Sequence, residues 1–168
     1  MIEVKLITFN SKEYYQALGL RYEVLRRPLN LHFKETDLEK EIADTHVAAF
    51  LGNRIVGCLI LSKIENNTGV LKMRQVAVDQ SFQGQGIGKA MVLFSEHWAI
   101  ENQFEKFELH ARSTAVPFYL SMDYMKIGNE FQEVNIPHFK MVKNLNAQIG
   151  LKILSYLSEF PLFHFIFP

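Results

Sequence analysis

Residues 71–92 read LKMRQVAVDQSFQGQGIGKAMV, and this stretch decides the fold. Its first part, which ends at Val78, is rich in apolar and β-branched residues and predicts a strand. Three glycines at alternating positions follow Gln83, and apolar residues then recur every three to four positions from Ile87 to Trp98, which predicts a helix with one buried face. A glycine-rich loop at a helix start favours anions, because its free N–H groups and the helix dipole attract negative charge.

Two common phosphate-binding patterns do not fit this loop. A Walker loop needs a glycine five residues before its Gly-Lys pair and Ser or Thr after it, but the chain has Gln83 and Ala90 there. The dinucleotide pattern G-x-G-x-x-G needs its third glycine where the chain has Lys89 or Met91. A nucleotide hydrolase is therefore excluded by these residues.

A third pattern, Gln/Arg-x-x-Gly-x-Gly/Ala, does fit, as Gln83, Gly86 and Gly88. With the strand before it and the helix after it, this loop resembles the central motif of the GCN5-related N-acetyltransferase (GNAT) family, whose members bind acyl-CoA. Residues 109–143 resemble the second half of that family, and their Ala-x-x-Phe-Tyr and Ile-Pro-His-x-x-Met segments are most similar to small bacterial members.

The resemblance extends over residues 1–143 and implies an α/β (α+β) GNAT fold, with a mixed, mostly antiparallel twisted sheet flanked by helices. The residue patterns agree with this architecture. They predict strands at 2–9, 46–51, 54–64, 70–78, 104–110, 124–131 and 138–142, and helices at 11–25, after residue 86 and at 113–122.

The resemblance also implies acetyl-CoA as the acyl donor and no metal. Its pantetheine arm would pair with the strand before the loop as an added strand, and its pyrophosphate would accept hydrogen bonds from loop N–H groups. Lys89 either adds positive charge to this site or is ordinary helix surface. The donor-binding residues implied are Val76, Ala77, Val78, Gln83, Gly84, Gln85, Gly86, Ile87, Gly88 and Lys89.

Tyr119 matches the general acid of the family, because a phenol with a pKa near ~10 can protonate a leaving thiolate. Two residues depart from the family pattern. Arg112 stands where many members carry Asn, and it would face the CoA phosphates or solvent. Asp123 stands where Gly is usual, at a helix end that often needs a residue in the left-handed backbone conformation. Asp adopts this conformation more readily than most residues.

The acceptor side is less defined by the sequence. Residues 34–44 carry five acidic side chains and two lysines, which form either a solvated surface or a rim that attracts a cationic substrate. Arg74, at the same strand parity as Val76 and Val78, could instead contact an acidic acceptor. Glu35 and His138 are candidates for shaping the acceptor site, and no general base is assigned.

Composition narrows the class of protein. The 168 residues carry 18 basic and 18 acidic side chains, and zero net charge argues against a dedicated nucleic-acid binder. The lone Cys58 excludes a disulfide framework within the chain and the common Cys-rich zinc patterns, and its apolar strand predicts a buried small residue. Neither a signal peptide nor the ~18 apolar residues of a membrane span is found. We expect a cytoplasmic protein without nucleic-acid or membrane partners.

Residues 144–168 lie beyond the resemblance and form an apolar extension. Ile149, Ile153, Leu157 and Phe160 keep helical spacing before Pro161. This predicts a helical segment that packs either on the domain of residues 1–143 or on a second subunit in a homodimer. A membrane contact is disfavoured, because the segment has one Lys and no basic face.

The predicted activity is transfer of an acetyl group from acetyl-CoA to the primary amine of a small molecule or peptide, by direct attack in a ternary complex. The alternative is a catalytically weak acyl-CoA-binding or sensing domain that lacks a working acceptor site. Both hypotheses require CoA binding, and they differ in turnover.

Overall fold

The computed structural model describes residues 1–146, 149–151, 153, 155 and 163–167. The strands are β1 (Ile2–Ile7), β2 (Thr45–Leu51), β3 (Arg54–Ile64), β4 (Asn67–Val78), β5 (Lys106–Arg112), β6 (Met125–Glu133), β7 (Ile136–Asn144) and β8 (Phe163–Ile166). The α-helices are α1 (Lys12–Arg21), α2 (Glu35–Glu39), α3 (Ile87–Glu101) and α4 (Val116–Leu120), and residues 149–151, 153 and 155 are also helical.

The strands form one sheet in the order β6-β7-β5-β4-β3-β2-β1-β8. Neighbours run antiparallel, except that β4 and β5 pair in parallel, as do β1 and β8. This mixed, mostly antiparallel sheet with flanking helices confirms the predicted fold class. The left-handed helix end expected at Asp123 is also present, with a φ of 64°.

Helices cover the two faces of the sheet unequally. The predicted apolar face of α3 is buried, and Met91 and Phe94 pack there in the larger core together with residues of β4, β5 and α4. On the opposite face, α1 packs over a smaller cluster that contains Cys58 and Ala77. Burial raises the pKa of the Cys58 thiol to about 12, so Cys58 is the buried small residue that its strand predicted.

A bulge in β4 corrects the parity predicted for Arg74. Between the pairs Cys58↔Ala77 and Ile60↔Arg74, β4 contains one residue more than β3, and Gln75 takes a positive φ of 56°. Because of this extra residue, even-numbered residues before the bulge and even-numbered residues after it face opposite sides of the sheet. Val76 and Val78 pack on the core beneath α3, whereas Arg74 donates a 2.7 Å hydrogen bond to Ser62 Oγ across the other face.

A buried ion pair ties α1 to the segment before β2. Arg21 at the end of α1 donates two hydrogen bonds to the carboxylate of Glu41, at 2.8 and 2.9 Å, and both side chains are almost fully buried. Tyr14 donates a third bond, at 2.9 Å, to the same carboxylate. The acidic segment 34–44 is thus anchored to α1 through one of its own carboxylates.

The C-terminal segment contains a strand that the sequence did not predict. β8 pairs with β1, Phe167 stacks on Phe94 of α3 at 4.8 Å between ring centroids, and Ile153 is buried. Phe163, Phe165 and Phe167 alternate along the chain, and this period-two spacing is typical of a strand. The positions of Leu157, Phe160 and Pro161 lie outside the described residues. The division at residue 143 and the homodimer remain predictions.

Within the described residues, none of the helices has the length and apolar character needed to cross a membrane.

Candidate active site

β4 and β5 separate part of the way along the sheet. They pair in parallel from Val70↔Lys106 to Met73↔Leu109, and among the described residues the pairing goes no further. Beyond this point β4 pairs with β3, and β5 pairs with β7. The opening leaves one backbone edge of residues 74–78 without a strand neighbour, so a bound chain could add to β4 there.

The glycine loop lies at the end of this free edge. Gly84 and Gly86 have φ values of 75° and 82°, a conformation that favours glycine. Side-chain amides brace the loop from within, because Gln83 Nε2 donates to Val78 O at 3.1 Å and Gln85 Nε2 donates to Ser81 O at 3.3 Å. Among the described residues, the backbone N–H groups of residues 84–88 have no backbone acceptor, as an anion site requires.

Three elements meet beside the loop at Gly88. A Cβ at this position would lie 3.5 Å from the Phe118 ring of α4 and 3.8 Å from a methyl of Val78. The first turn of α3 therefore contacts both the end of β4 and α4. We call this surface the α3 side of the opening: residues 76–78, the loop 83–88, and the residues of α4 that pack on them.

Tyr119 belongs to the same cluster as Val76 and Val78. Its ring packs edge-on against Phe118, with the centroids 4.9 Å apart, and the residue is 6% exposed. Within the described part of the chain its hydroxyl has no hydrogen-bond partner, and burial raises its pKa above the usual range. Tyr119 is therefore protonated at neutral pH, as a general acid must be.

A second buried ion pair lies next to Tyr124, the aromatic residue that packs against Tyr119. The Tyr119 ring packs edge-on against Tyr124, at 5.5 Å between centroids, and Lys143 Nζ lies 5.4 Å from the Tyr124 ring. Lys143 donates a 2.7 Å hydrogen bond to Glu96 on α3. Burial raises the pKa of Glu96 despite the nearby ammonium group. This pair fixes β7 against α3 beneath α4.

The opposite surface is built from separate segments. We call it the α1 side of the opening: the turn after α1 (residues 22–29), residues 30–44, and the ends of β5, β6 and β7. Asp44 accepts a 2.5 Å bond from Arg74, and Glu41 is buried against Arg21. Asp37 lies 3.4 Å from Lys40. Three of the five acids thus have cationic partners within the protein, so the predicted acidic rim is partly neutralised.

The remaining candidates on the α1 side lie apart. Glu35 is exposed in the first turn of α2. His138 is buried, its Nδ1 lies 2.8 Å from Ile136 O, and it stands opposite Arg112 in the register of β5 and β7. An open groove of about 690 Å³ runs between α1 and residues 79–81, and none of the predicted site residues lines it. Among the described residues no cluster of acidic, His or Cys side chains suits a metal ion.

Comparison with known proteins identifies the family. Residues 12–145 match the family model described as an acetyltransferase (GNAT) domain. The chain is 27% identical over 140 residues to the uncharacterized N-acetyltransferase YjcF of Bacillus subtilis, covering 83% of this chain and 98% of that one. The chain therefore belongs to the GNAT acetyltransferase family, as its sequence resemblance predicted, and its class of chemistry is acyl transfer.

Solved structures share the fold at low identity. An acyl-CoA N-acyltransferase from Pseudomonas aeruginosa superposes with a TM-score of 0.73 at 19% identity, covering 85% of this chain and 99% of that one. An aminoglycoside 6'-N-acetyltransferase complexed with coenzyme A gives a TM-score of 0.70 at 15% identity, covering 84% and 96%. At these identities the likeness concerns the fold.

Sequence reasoning missed two features of the opening. Gln75 forms the bulge where β4 and β5 part, and its Oε1 is buried without a partner among the described residues. A positive φ is uncommon for Gln, so no sequence signal indicated it. Arg26, in the turn after α1, was not singled out either, because nothing in its neighbourhood marks it as different from a surface arginine.

Proposed function

We propose that the chain transfers an acetyl group from acetyl-CoA to a primary amine by direct attack in a ternary complex. The opening between β4 and β5 carries this proposal, because it leaves a free backbone edge between the glycine loop and Tyr119. The aminoglycoside 6'-N-acetyltransferase that shares the fold is complexed with coenzyme A, which supports CoA as the acyl carrier.

The α3 side is proposed to bind the donor. The pantetheine arm would pair with the backbone of residues 76–78, and the pyrophosphate would accept hydrogen bonds from N–H groups of the loop 83–88. Lys89, in the first turn of α3, would contribute positive charge. Because backbone groups make most of these contacts, the conformation of the loop matters more than the identity of its side chains.

The α1 side is proposed to bind the acceptor. Glu35 and His138 remain the candidates for shaping this site, and no general base is assigned. Arg74 would act as a pair with Asp44, because the 2.5 Å bond between them leaves neither charge free. The acceptor then enters the opening from the face of the sheet opposite the donor.

The reaction is a single displacement. The lone pair of the neutral amine nitrogen forms a bond to the thioester carbonyl carbon, and the C–S bond breaks with its electron pair on sulfur. Tyr119 donates its phenolic proton to this sulfur, which leaves as the CoA thiol. The nitrogen loses one proton, and a proton from the acceptor side or from solvent returns to the phenolate.

Two measurements test the proposal. Calorimetric titration with CoA measures donor binding, and thiol release from acetyl-CoA over a panel of diamines, amino sugars, amino acids and peptides measures transfer. The proposed function requires saturable CoA binding and thiol release above the rate without amine. CoA binding without amine-dependent release would favour an acyl-CoA-binding or sensing domain. ATP binding without CoA binding would contradict both hypotheses.

A further inference from the structure

An arginine on the α1 side has a buried donor without a partner. Arg26 ends the π-helical turn Tyr22–Arg26, and its guanidinium carbon lies 5.1 Å from the centroid of the Phe33 ring. Its Nε atom is buried, and no acceptor among the described residues is within hydrogen-bond distance. Buried donors are normally satisfied, and single π-helical turns occur frequently at functional sites. The two Nη atoms of Arg26 have no hydrogen-bond partner among the described residues either, and they are not buried, so a ligand oxygen can reach them.

A second arginine reaches the same face of the sheet from β5. Phe107, Leu109 and Ala111 enter the core beneath α3, so the alternating residue Arg112 faces the other way. The turn that contains Arg26 lies on that other face, because it packs beside α1 on β4. Arg112 is the last residue of β5, beyond the point where β4 and β5 separate. It therefore stands at the opening.

The two guanidinium groups act on each other electrostatically. Burial lowers the pKa of Arg26, and the positive charges of Arg21 and Arg112 lower it further, whereas Asp37 and Glu133 act in the opposite direction. Glu41 already compensates Arg21 through two hydrogen bonds. Of these two cations, Arg112 is therefore the one without a bonded carboxylate among the described residues.

The carboxylates around these arginines are bound to other groups. Glu133 lies 2.7 Å from His110 Nδ1, Asp37 lies 3.4 Å from Lys40, and Asp44 lies 2.5 Å from Arg74. Within the described part of the chain, neither Arg26 nor Arg112 has a carboxylate within 4.0 Å. Two positive charges on the same face of the sheet, one of which acts on the other, are thus left for a ligand to neutralise.

We infer that Arg26 and Arg112 form a subsite for an oxyanion carried by the acceptor, so that the substrate is an amine that also bears a carboxylate or a phosphate. The inference rests on the proposed function, because that proposal makes the α1 side the acceptor side. Guanidinium groups bind both kinds of oxyanion through paired N–H donors, so the shared chemistry is the anion. The subsite replaces the expectation of an acidic rim for a cationic substrate.

Turnover of matched amines tests the subsite. L-amino acids are compared with their amides, and phosphoethanolamine with ethanolamine, in the thiol-release assay. We expect kcat/KM to be at least tenfold higher for the anionic member of one of the two pairs. The pair that shows this difference identifies whether the anion recognised is a carboxylate or a phosphate. In Arg26→Gln and Arg112→Gln the KM of the anionic amine should rise tenfold or more, which removes the preference for the anionic member of the pair. Preference for the neutral members would overturn the inference.

Arg27→Gln is the matched control. Arg27 neighbours Arg26 in sequence but is exposed and pairs with Glu23 at 2.6 Å. Its replacement should leave the preference for anionic amines unchanged. If Arg27→Gln reduces the preference as much as Arg26→Gln, the effect is general surface charge and the subsite is wrong.

A binding measurement separates this inference from the proposed function. Thermal unfolding is followed in the presence of CoA with inorganic phosphate or acetate, against chloride at equal ionic strength. At least one of the two anions should raise Tm in the wild type and not in the double variant Arg26→Gln/Arg112→Gln, even if no amine is acetylated. If each anion changes the Tm of the wild type and of the double variant equally, the subsite is wrong. CoA binding and acetyl transfer are measured by separate assays, so this outcome would not contradict the proposed function.

Discussion

The two sides of the opening are built in different ways. The α3 side comes from one stretch of chain, residues 76–88, with α4 packed on it, and its useful groups are backbone N–H and C=O groups. The α1 side gathers side chains from the turn after α1, from α2 and from the ends of three strands. A binding surface made of backbone groups depends little on side-chain identity, so proteins of one fold can use it for the same ligand. A binding surface made of side chains changes with the sequence, so relatives of one fold can bind different ligands there.

The largest effect is expected from removing the one side-chain proton donor proposed on the α3 side. In Tyr119→Phe, kcat should fall by about 10³-fold, because the thiolate leaves unprotonated, while the Kd of CoA stays within threefold. Steady-state rates and calorimetry measure both. Since burial raises the pKa of Tyr119, its deprotonation should not reduce the wild-type rate below about pH 10.

Tyr124→Phe is the control for Tyr119. It removes a hydroxyl of equal size from the neighbouring buried ring. Its kcat should stay within a few fold of the wild type. An equal loss in both variants would indicate damage to the packing of α4, and an unchanged rate in Tyr119→Phe would contradict the general-acid assignment.

The next largest effect is expected on stability, from a change to the buried ion pair that anchors the α1 side. Glu41→Gln leaves Arg21 buried without a full countercharge and should lower the free energy of unfolding by about 3 kcal/mol. Urea unfolding measures the change. The double variant Arg21→Met/Glu41→Leu should recover much of the stability, because no unpaired charge remains. A change below about 0.5 kcal/mol in Glu41→Gln would show that this anchor is dispensable.

A smaller effect tests whether the α3 side works through its backbone. Gly86→Ala should raise the Kd of CoA by about tenfold, since Ala is strained at a φ of 82° and the loop must shift. Gly52→Ala is matched to it, because Gly52 also has a positive φ, 60°, in the turn between β2 and β3, and an added Cβ would meet no close contact at either position. Gly52→Ala should lose similar stability and keep its CoA affinity. Equal affinities in the two variants would argue against the loop as the pyrophosphate site.

The smallest expected effect concerns the charge balance of the α1 side. Asp44→Asn releases Arg74 from its ion pair and adds positive charge near the opening. The KM of an anionic amine should then fall by about threefold, with no change for a neutral one, a size typical of partly exposed charges. Glu3→Gln, which disrupts a partly exposed pair with Lys5 on β1, serves as the control. A higher KM for the anionic amine in Asp44→Asn would contradict the cationic character of this side.

The same contrast explains what the sequence could predict. The strand, the glycine loop and the helix of residues 71–92 were predicted correctly because their signals are local: β-branched residues, glycines and helical spacing. The pairing of Arg74 with Asp44 and of Arg21 with Glu41 joins residues far apart in the chain, and no local pattern encodes such pairs. The bulge at Gln75 was missed for a related reason, because the residue adopts a conformation that its type rarely takes.

The pairing of β8 with β1 has a consequence for how the chain folds during synthesis. Among the described residues, β1 is made before the other strands of the sheet, yet its outer neighbour β8 is made after all of them. Until then β1 is an open edge that can pair with other chains. Synthesis of residues 163–166 is therefore the step that allows the sheet to cover the outer edge of β1.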